Sequence, residues 1–315
     1  MALMWHVLPP FQTGERAGLP FIRLFGQLAG MSPFQRHFAD CNNAALPGGR
    51  TAFLLGDQPV GWLDRALADF IEGMDGITRL PEGLSLAQPA RLPEIAHAAA
   101  EAGLLRWRDE AFDVRATPDG PALSTIDRGA LPVFGIQAQG VHMDGIVRLA
   151  DGIHLWVARR AANKALDPGK LDHLTAGGIP AGLTPAECLV KEAAEEAAIP
   201  ADLAARAIKT GTVSYAMDRP EGLRRDLLHC YELELPADFT PTPTDGEVAG
   251  FELWPLPRAL AAVRDTDDFK FNVNLVLMIL FLRHGLLTEG EAAEVLRVGG
   301  GGVKARSGKA RVFFL

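Results

Sequence analysis

Cysteine is scarce and scattered. Cys41, Cys188 and Cys230 stand too far apart for a paired-thiol or metal-ligand spacing, which excludes a disulfide scaffold and a structural zinc site and fits a reduced cytosolic compartment. Long apolar runs are missing as well. The longest, LVLMILFL from Leu275 to Leu282, falls well short of the roughly 20 residues that span a bilayer, so it reads as a buried helix and no membrane partner is expected. The first thirty residues lack the basic start and the small-residue cleavage site of a secretory signal. They are set apart as a leader that is either foreign to the native chain or disordered, with Met31 as a candidate start where a regular amphipathic pattern begins. Positive charge is in deficit: a formal net charge of -8 argues against a nucleic-acid partner and leaves a small molecule. The basic residues near the end, Lys304, Arg306, Lys309 and Arg311, read as a solvated terminus. GGRTAF at Gly48 lacks the lysine of a phosphate-binding P-loop, and neither a nucleophile elbow nor a catalytic-cysteine context is present.

What remains is ordinary globular material, 315 residues with 48% hydrophobic and 22% charged, a length that points to two domains. Residues 31–124 alternate helical patches with short extended runs and read as a small α+β domain. Residues 125–292 form the second domain, which opens on two β-rich runs joined by a turn at Asp151-Gly152. The runs TGTVSYAM, DLLHCYELELP and EVAGFELWPL supply further strands, and a helix from about Asn274 to His284 closes the domain. Residues 293–315 are expected to be a flexible tail.

Between these strands lies TAGGIPAGLTPAECLVKEAAEEAAIP, Thr175 to Pro200, with three glycines ahead of an acidic helix. Thr184, Pro185 and Glu187 suit the N-cap, first helical position and capping-box partner, with Leu183 and Cys188 placed for a hydrophobic staple, and Pro200 stops the helix. At 100° per residue Leu189, Val190, Ala193, Ala194 and Ala197 share an apolar face, while Glu192, Glu195 and Glu196 share a separate arc. Glu187 and Lys191 have the acid-before-base order of an i,i+4 pair. Gly177, Gly178 and Gly182 free the backbone beside carboxylates that face one way, an arrangement suited to a hard divalent cation such as magnesium.

This stretch resembles the signature box of the Nudix hydrolases, G-x5-E-x7-R-E-U-x-E-E-x-G-U with U aliphatic. Gly177 takes the leading glycine, Glu192 the glutamate after the basic residue, Glu195 and Glu196 the pair, and Ile199 the last aliphatic. Leu183, Lys191 and Ala198 depart from it, replacing a glutamate, the arginine and the second glycine. Over most of residues 32–290 the chain is similar to the branch related to thiamine pyrophosphokinase, which carries a smaller domain ahead of the Nudix domain. CNNAALP, VHMDG, LWVARR, PGKLDHLTAGGIPAGLTP, VSY, YELELPADFTPTPTDGEV and FKFNVNLVLMILFLRHG carry that similarity.

The resemblance implies an α/β/α sandwich with a mixed sheet and hydrolysis of a diphosphate linked to an organic group. It implies Mg2+, with Mn2+ as a substitute, on Glu192, Glu195 and Glu196, and catalytic roles for Glu195, Glu196 and Glu247. Members of the branch act on thiamine-type diphosphates, damaged forms included, and release the monophosphate. Arg159, Arg160, Lys164, Gly177, Gly178, Tyr215, Lys270 and Asn272 are the expected substrate contacts, with Tyr215 as a flat wall. His142 and His173 read as structural. Nucleoside-diphosphate-linked sugars are the alternative substrates, a non-catalytic ligand-binding regulator is the alternative function, and a homodimer is compatible with each.

Overall fold

A computed structural model describes residues 33–164 and 166–298, together with the backbone of 312–314. The leader assigned to residues 1–30 lies outside the described residues. Helix α1 (Pro33–Cys41) is followed by β1 (Thr51–Leu55), β2 (Gln58–Leu63), α2 (Arg65–Ile71), β3 (Ile77–Arg79), β4 (Gly83–Leu86), α3 (Leu92–Glu101), β5 (Ala111–Val114), β6 (Ser124–Asp127) and α4 (Leu131–Phe134). Strands β2-β1-β4-β3 make one sheet and β5 pairs with β6 apart from it. A turn at Gly56-Asp57 joins β1 to β2, and the Asp64 carboxylate caps α2 by accepting the Leu67 amide at 2.8 Å. Phe53, Leu63, Leu84, Leu92 and Phe134 fill the core of this α+β module.

The second module runs through β7 (Gln137–Leu149), β8 (Gly152–Arg160), β9 (Leu171–Asp172), β10 (Thr175–Gly178), α5 (Pro185–Ala197), α6 (Ala201–Ala204), β11 (Ile208–Arg219) and β12 (Gly222–Glu234). It ends with β13 (Val248–Pro255), α7 (Leu256–Asp265), α8 (Val273–Arg283), α9 (Glu289–Val298) and β14 (Val312–Phe314). Among the described residues its sheet has the order β13-β8-β7-β12-β11-β14, with β10 on β7 and β9 on β8. β7 runs parallel to β12 and β11 to β14, while the other pairs are antiparallel, so the sheet is mixed as expected.

Side chains alternate across this sheet with the two-residue period of a strand. Val213, Tyr215, Met217, Leu228 and Ile146 face a core shared with α7 and α8. Tyr231, Leu233, Val147 and Trp156 face a second core shared with α5 and α6. Two helical layers on a mixed sheet are the expected sandwich. Helix α8 is buried from Val273 to Phe281, which explains its unbroken apolar run. Among the described residues no helix is long and apolar enough to cross a membrane.

Two expectations need correction. Helix α1, assigned to the first domain, belongs to the core of the second: Phe34, Phe38 and Cys41 pack with α7 and α8, and His37 bonds Val263 O at 2.8 Å. Conversely Ala130, Leu131, Phe134 and Ile136, placed beyond the 124/125 boundary, fill the first core. The tail is also not uniformly flexible. Residues up to 298 continue α9, whose Val295 is fully buried, and Val312–Phe314 adds a parallel strand to β11. Buried apolar contact decides the first case and unfilled edge hydrogen bonds the second.

Phe34→Ala removes a fully buried ring and is expected to lower the stability of the second module by about 3–5 kcal/mol in urea unfolding. Ala198 ends α5 in the left-handed region at φ 54°. Ala198→Gly should raise stability by about 0.5–1 kcal/mol, the left-handed penalty less the entropy glycine adds to the unfolded chain.

Candidate active site

Helix α5 begins as its sequence dictates. Thr184 Oγ1 accepts the Glu187 amide at 3.3 Å, and Glu187 Oε2 accepts the Thr184 amide at 2.8 Å. The Thr184 hydroxyl, donating to Glu187 Oε2 at 2.6 Å, and the Thr184 amide hold the Glu187 carboxyl below its usual range. They also keep it from Lys191, so the expected Glu187–Lys191 pair is not formed. Lys191 donates instead to Glu195 at 2.6 Å and to Glu192 at 3.2 Å. The lysine at the family's arginine position therefore clamps two of the box glutamates, but as a point charge without a fork.

The three glutamates do not share one environment. Glu195 is exposed. Glu192 is half-buried, and burial raises its carboxyl pKa above the usual value. Glu196 is buried, not part of a surface arc, while Ala194, expected on the apolar face, is exposed. The helix lies rotated toward β10, so that Glu196 Oε2 accepts the Ala176 amide at 2.8 Å. Burial pushes the Glu196 carboxyl up to about 8, with the Ala176 bond opposing it and Asp172 and Glu192 adding to it. Gly177 is required here for space: a Cβ would lie 2.2 Å from the Glu192 carboxyl carbon. Gly178 serves the first module instead, since its Cβ would lie 2.6 Å from the Phe112 ring.

The loop before β13 brings a second set of carboxylates. Thr242 N donates to Ala197 O at 3.1 Å and Thr244 Oγ1 donates to Glu195 O, strapping this loop to the end of α5. Glu196, Asp245 and Glu247 thereby each place a carboxylate oxygen within 4.8 Å of the others. An all-oxygen donor set with one buried, charge-starved member fits a hard divalent cation. Asp245 was not anticipated. Its Asp-Gly dipeptide signals a turn, and nothing in the sequence shows that the turn faces Glu196. Its Oδ1 also accepts the Glu247 amide at 2.8 Å.

Beside these carboxylates is a cavity of about 10 Å3 lined by Arg160, Asp172, His173, Ala176, Glu196 and Glu247, room for one water or ion. Arg160 donates to Asp172 at 2.7 Å and to the Leu166 carbonyl at 2.8 Å, so its guanidinium is fixed. Lys270 lies 3.6 Å from Asp172. Burial works to raise the Asp172 carboxyl, but Lys270, His173 and Arg160 together hold it well below the usual range. Burial lowers the Lys270 ammonium, against the pull of Asp172. Lys164 reaches the same region by an ion pair with Glu247.

Other expected contacts sit elsewhere. Arg159 is exposed, donating to Gly169 O at 3.1 Å and facing Glu252 at 3.6 Å. Tyr215 is a core residue and not an open wall: its hydroxyl donates to Asp226 and accepts from Asn272 Nδ2 at 3.2 Å. Asn272 makes no side-chain cap to α8, and its buried Oδ1 has no partner. His173 Nδ1 bonds Asp144 Oδ1 at 2.7 Å, and His142 packs edge-on to it at 4.9 Å. Nδ1 of His142 and Nε2 of His173 are buried without partners.

A glycine-flanked acidic helix on a mixed sheet is closed here by a carboxylate loop over a cationic floor, a set of charged groups suited to a divalent cation and an anionic ligand. The NUDIX domain model matches residues 141–274, and a model described as Domain of unknown function (DUF4743) matches residues 34–138. Nudix hydrolase 24, chloroplastic, of Arabidopsis thaliana is 36% identical over 247 residues, covering 75% of this chain and 68% of that protein. Nudix hydrolase 20, chloroplastic, of the same plant is 42% identical over 180 residues, covering 57% of this chain and 48% of that one. The crystal structure of DR0079 from Deinococcus radiodurans aligns at a TM-score of 0.40 and 20% identity, over 53% of this chain and 97% of that one. The chain belongs to the Nudix hydrolase family.

The Glu196 pKa carries a sign that can be measured. In the metal-free protein a carboxyl raised from 4.5 to about 8 stays protonated where the unfolded chain has released its proton. Its contribution to stability is therefore full below the lower value and is lost as pH rises through the upper one. Glu196→Gln removes this titration. In chelator the variant should melt several degrees above the parent at pH 8.5, and the gap should close near pH 4.5, as read by calorimetry.

Proposed function

We propose that the chain hydrolyses thiamine diphosphate or an oxidised analogue to the monophosphate, with the carboxylates of α5 and of the loop before β13 as its centre. The observation that carries the chemistry is the meeting of Glu196, Asp245 and Glu247 beside a one-water cavity floored by Arg160 and Asp172. Those three, with Glu192 adjoining, would hold Mg2+ or Mn2+, which when bound supplies neutralisation of the diphosphate oxygens and an acidified water. Glu195 stays with Lys191, outside that set, and orders the helix face.

The protein's own groups do the rest. Arg160, fixed by four acceptor contacts on Leu166, Asp167 and Asp172, presents a rigid positive edge toward the diphosphate. Lys270 adds a second positive charge from the start of α8. Glu247, half exposed at 51%, is the group able to take a proton from the attacking water at a carboxylate oxygen and pass it to solvent. Lys164 pairs with it. Leu183, which stands where the family places its first glutamate, packs against the α5 core and takes no part.

The thiamine reading is supported by the branch stretches, which meet in space. VSY touches FKFNVN where Asn272 reaches Tyr215, and PGKLDHL touches it where the Lys270 amide donates to Leu171 O at 2.9 Å. A reducing, cytosolic compartment is supported by three cysteines that are free and buried.

A panel of diphosphates with and without Mg2+ tests this reading. Thiamine diphosphate should be cleaved to the monophosphate ahead of nucleotide sugars, and a sample that cleaves nucleotide sugars while ignoring every thiamine diphosphate would refute the substrate. Glu196→Gln and Glu247→Gln should each reduce turnover by about 100-fold or more while remaining folded by circular dichroism. Mn2+ binding, followed by its electron paramagnetic resonance signal, should weaken in both.

A further inference from the structure

Neighbouring residues of β10 support the carboxylate centre, each in its own way. The Ala176 amide donates to Glu196 at 2.8 Å, and Gly177 leaves the space that the Glu192 carboxyl fills. Gly178 differs: what forbids a side chain there is Phe112 of β5, whose Cζ would stand 2.6 Å from an added Cβ. The Gly178 carbonyl in turn accepts the Cys188 thiol of α5 at 3.4 Å. Gly178 is therefore held between the first module and the helix that carries the glutamates.

The loop from Gly178 to the start of α5 is tied to both modules. Pro180 has no amide to offer. The Ile179 amide donates to Gln139 O at 2.9 Å and the Leu183 amide to Pro180 O at 3.2 Å, both inside the second module. The Ala181 amide crosses instead to Ala111 O at 2.8 Å, and Gly182 N reaches Asp113 Oδ2 at 3.4 Å, a carboxylate paired with Arg115 at 2.7 Å. One edge of β5 pairs with β6, so the loop occupies its other edge, where unpaired backbone groups call for a partner. Gln139, which holds Ile179, is itself held, since its Nε2 donates to Pro118 O at 2.9 Å. Phe112 is buried in the first core, and that core, not the loop, fixes where its ring tip stands.

We propose that the first module positions the carboxylate centre: Phe112 and the Ala111 carbonyl hold Gly178–Gly182 in the place from which Ala176 and Gly177 set Glu196 and Glu192. Both are positioning residues, acting through β10 and the start of α5. The inference rests on the metal-dependent hydrolase reading above. It gives the separate module a role in metal affinity and in the chemical step, and none in holding the organic end of the substrate.

The test uses the full chain and two single variants, each shown to be folded by thermal melting. Pro180 to Leu183 form a turn with Gly182 third at φ 83°, the pattern of a type II turn, which accepts proline at its second position. Ala181→Pro therefore keeps the turn and removes the amide that crosses to Ala111. Phe112→Leu keeps an apolar side chain in the first core and withdraws the ring tip from Gly178. Mn2+ affinity, read by electron paramagnetic resonance, should fall at least fivefold in each. With Mg2+ and thiamine diphosphate, or the nucleotide sugar the parent cleaves in its place, kcat should fall by a similar factor while KM stays within twofold. Adding Gly178→Ala to Phe112→Leu refills the vacated space and should return Mn2+ affinity to within twofold of the parent's. Mn2+ affinity within twofold of the parent's in both single variants overturns the proposal, and so does a loss confined to Ala181→Pro, which is then a local effect of the turn. Hydrogen exchange at the Ala176 amide separates this failure from that of the hydrolase reading. In a parent that binds no Mn2+ and cleaves no diphosphate, exchange at least tenfold faster in both variants upholds the positioning role while the hydrolase reading falls, and unchanged exchange sinks both.

Discussion

A carboxylate buried against a strand amide is the constraint around which the second module is arranged. Glu196 meets the Ala176 amide, and that contact sets how α5 rolls on β10. The roll decides which neighbours are possible. It brings Glu192 over Gly177, where no side chain could stand, and turns Glu195 outward to Lys191. It leaves an acid in a place that disfavours its charged form, and the loop from Thr242 to Glu247 is tied to the same helix end, adding two more acids. Such a grouping is poorly stable by itself and well suited to a cation. The site is thus held in a state that its own electrostatics oppose, by hydrogen bonds and packing that surround it.

A second balance lies beneath it. Asp172 is buried between Arg160 and Lys270, which keeps it ionised and keeps both cations in place. Removing one partner would strand the other two charges in a dry site. The floor of the cavity is therefore a positive surface whose position is fixed before any ligand arrives.

Much of this was legible in the chain. Local rules fixed the start of α5 at Thr184-Pro185, its stop before Pro200, the turn at Asp151-Gly152 and the buried character of α8, because each depends on neighbours within a few residues. What could not be read depends on contacts far apart in sequence. The periodicity placed Glu196 with Glu192 and Glu195 on one arc, but burial of one member follows from the approach of β10, whose Ala176 stands 20 residues earlier. The Glu187–Lys191 pair lost to a capping bond that competes for the same carboxylate. Asp245 sits in a turn that any Asp-Gly could form, and only the strap to Glu195 and Ala197 shows where it points. The placement of α1 is the largest such miss, since an amphipathic helix shows that one face is buried and not against what.

That placement bears on how the chain is made. Arg36 on α1 bonds the carbonyl of Thr266, at a separation of 230 residues. At the usual pace of synthesis, about 5–20 residues per second, α1 waits roughly 10–50 s after leaving the ribosome before its partners follow. Through that interval Phe34 and Phe38 have no core to enter, while the first module between them and the ribosome has all of its own once Ile136 has emerged. The α+β module can therefore close early, and α1 docks late, as the act that joins the two.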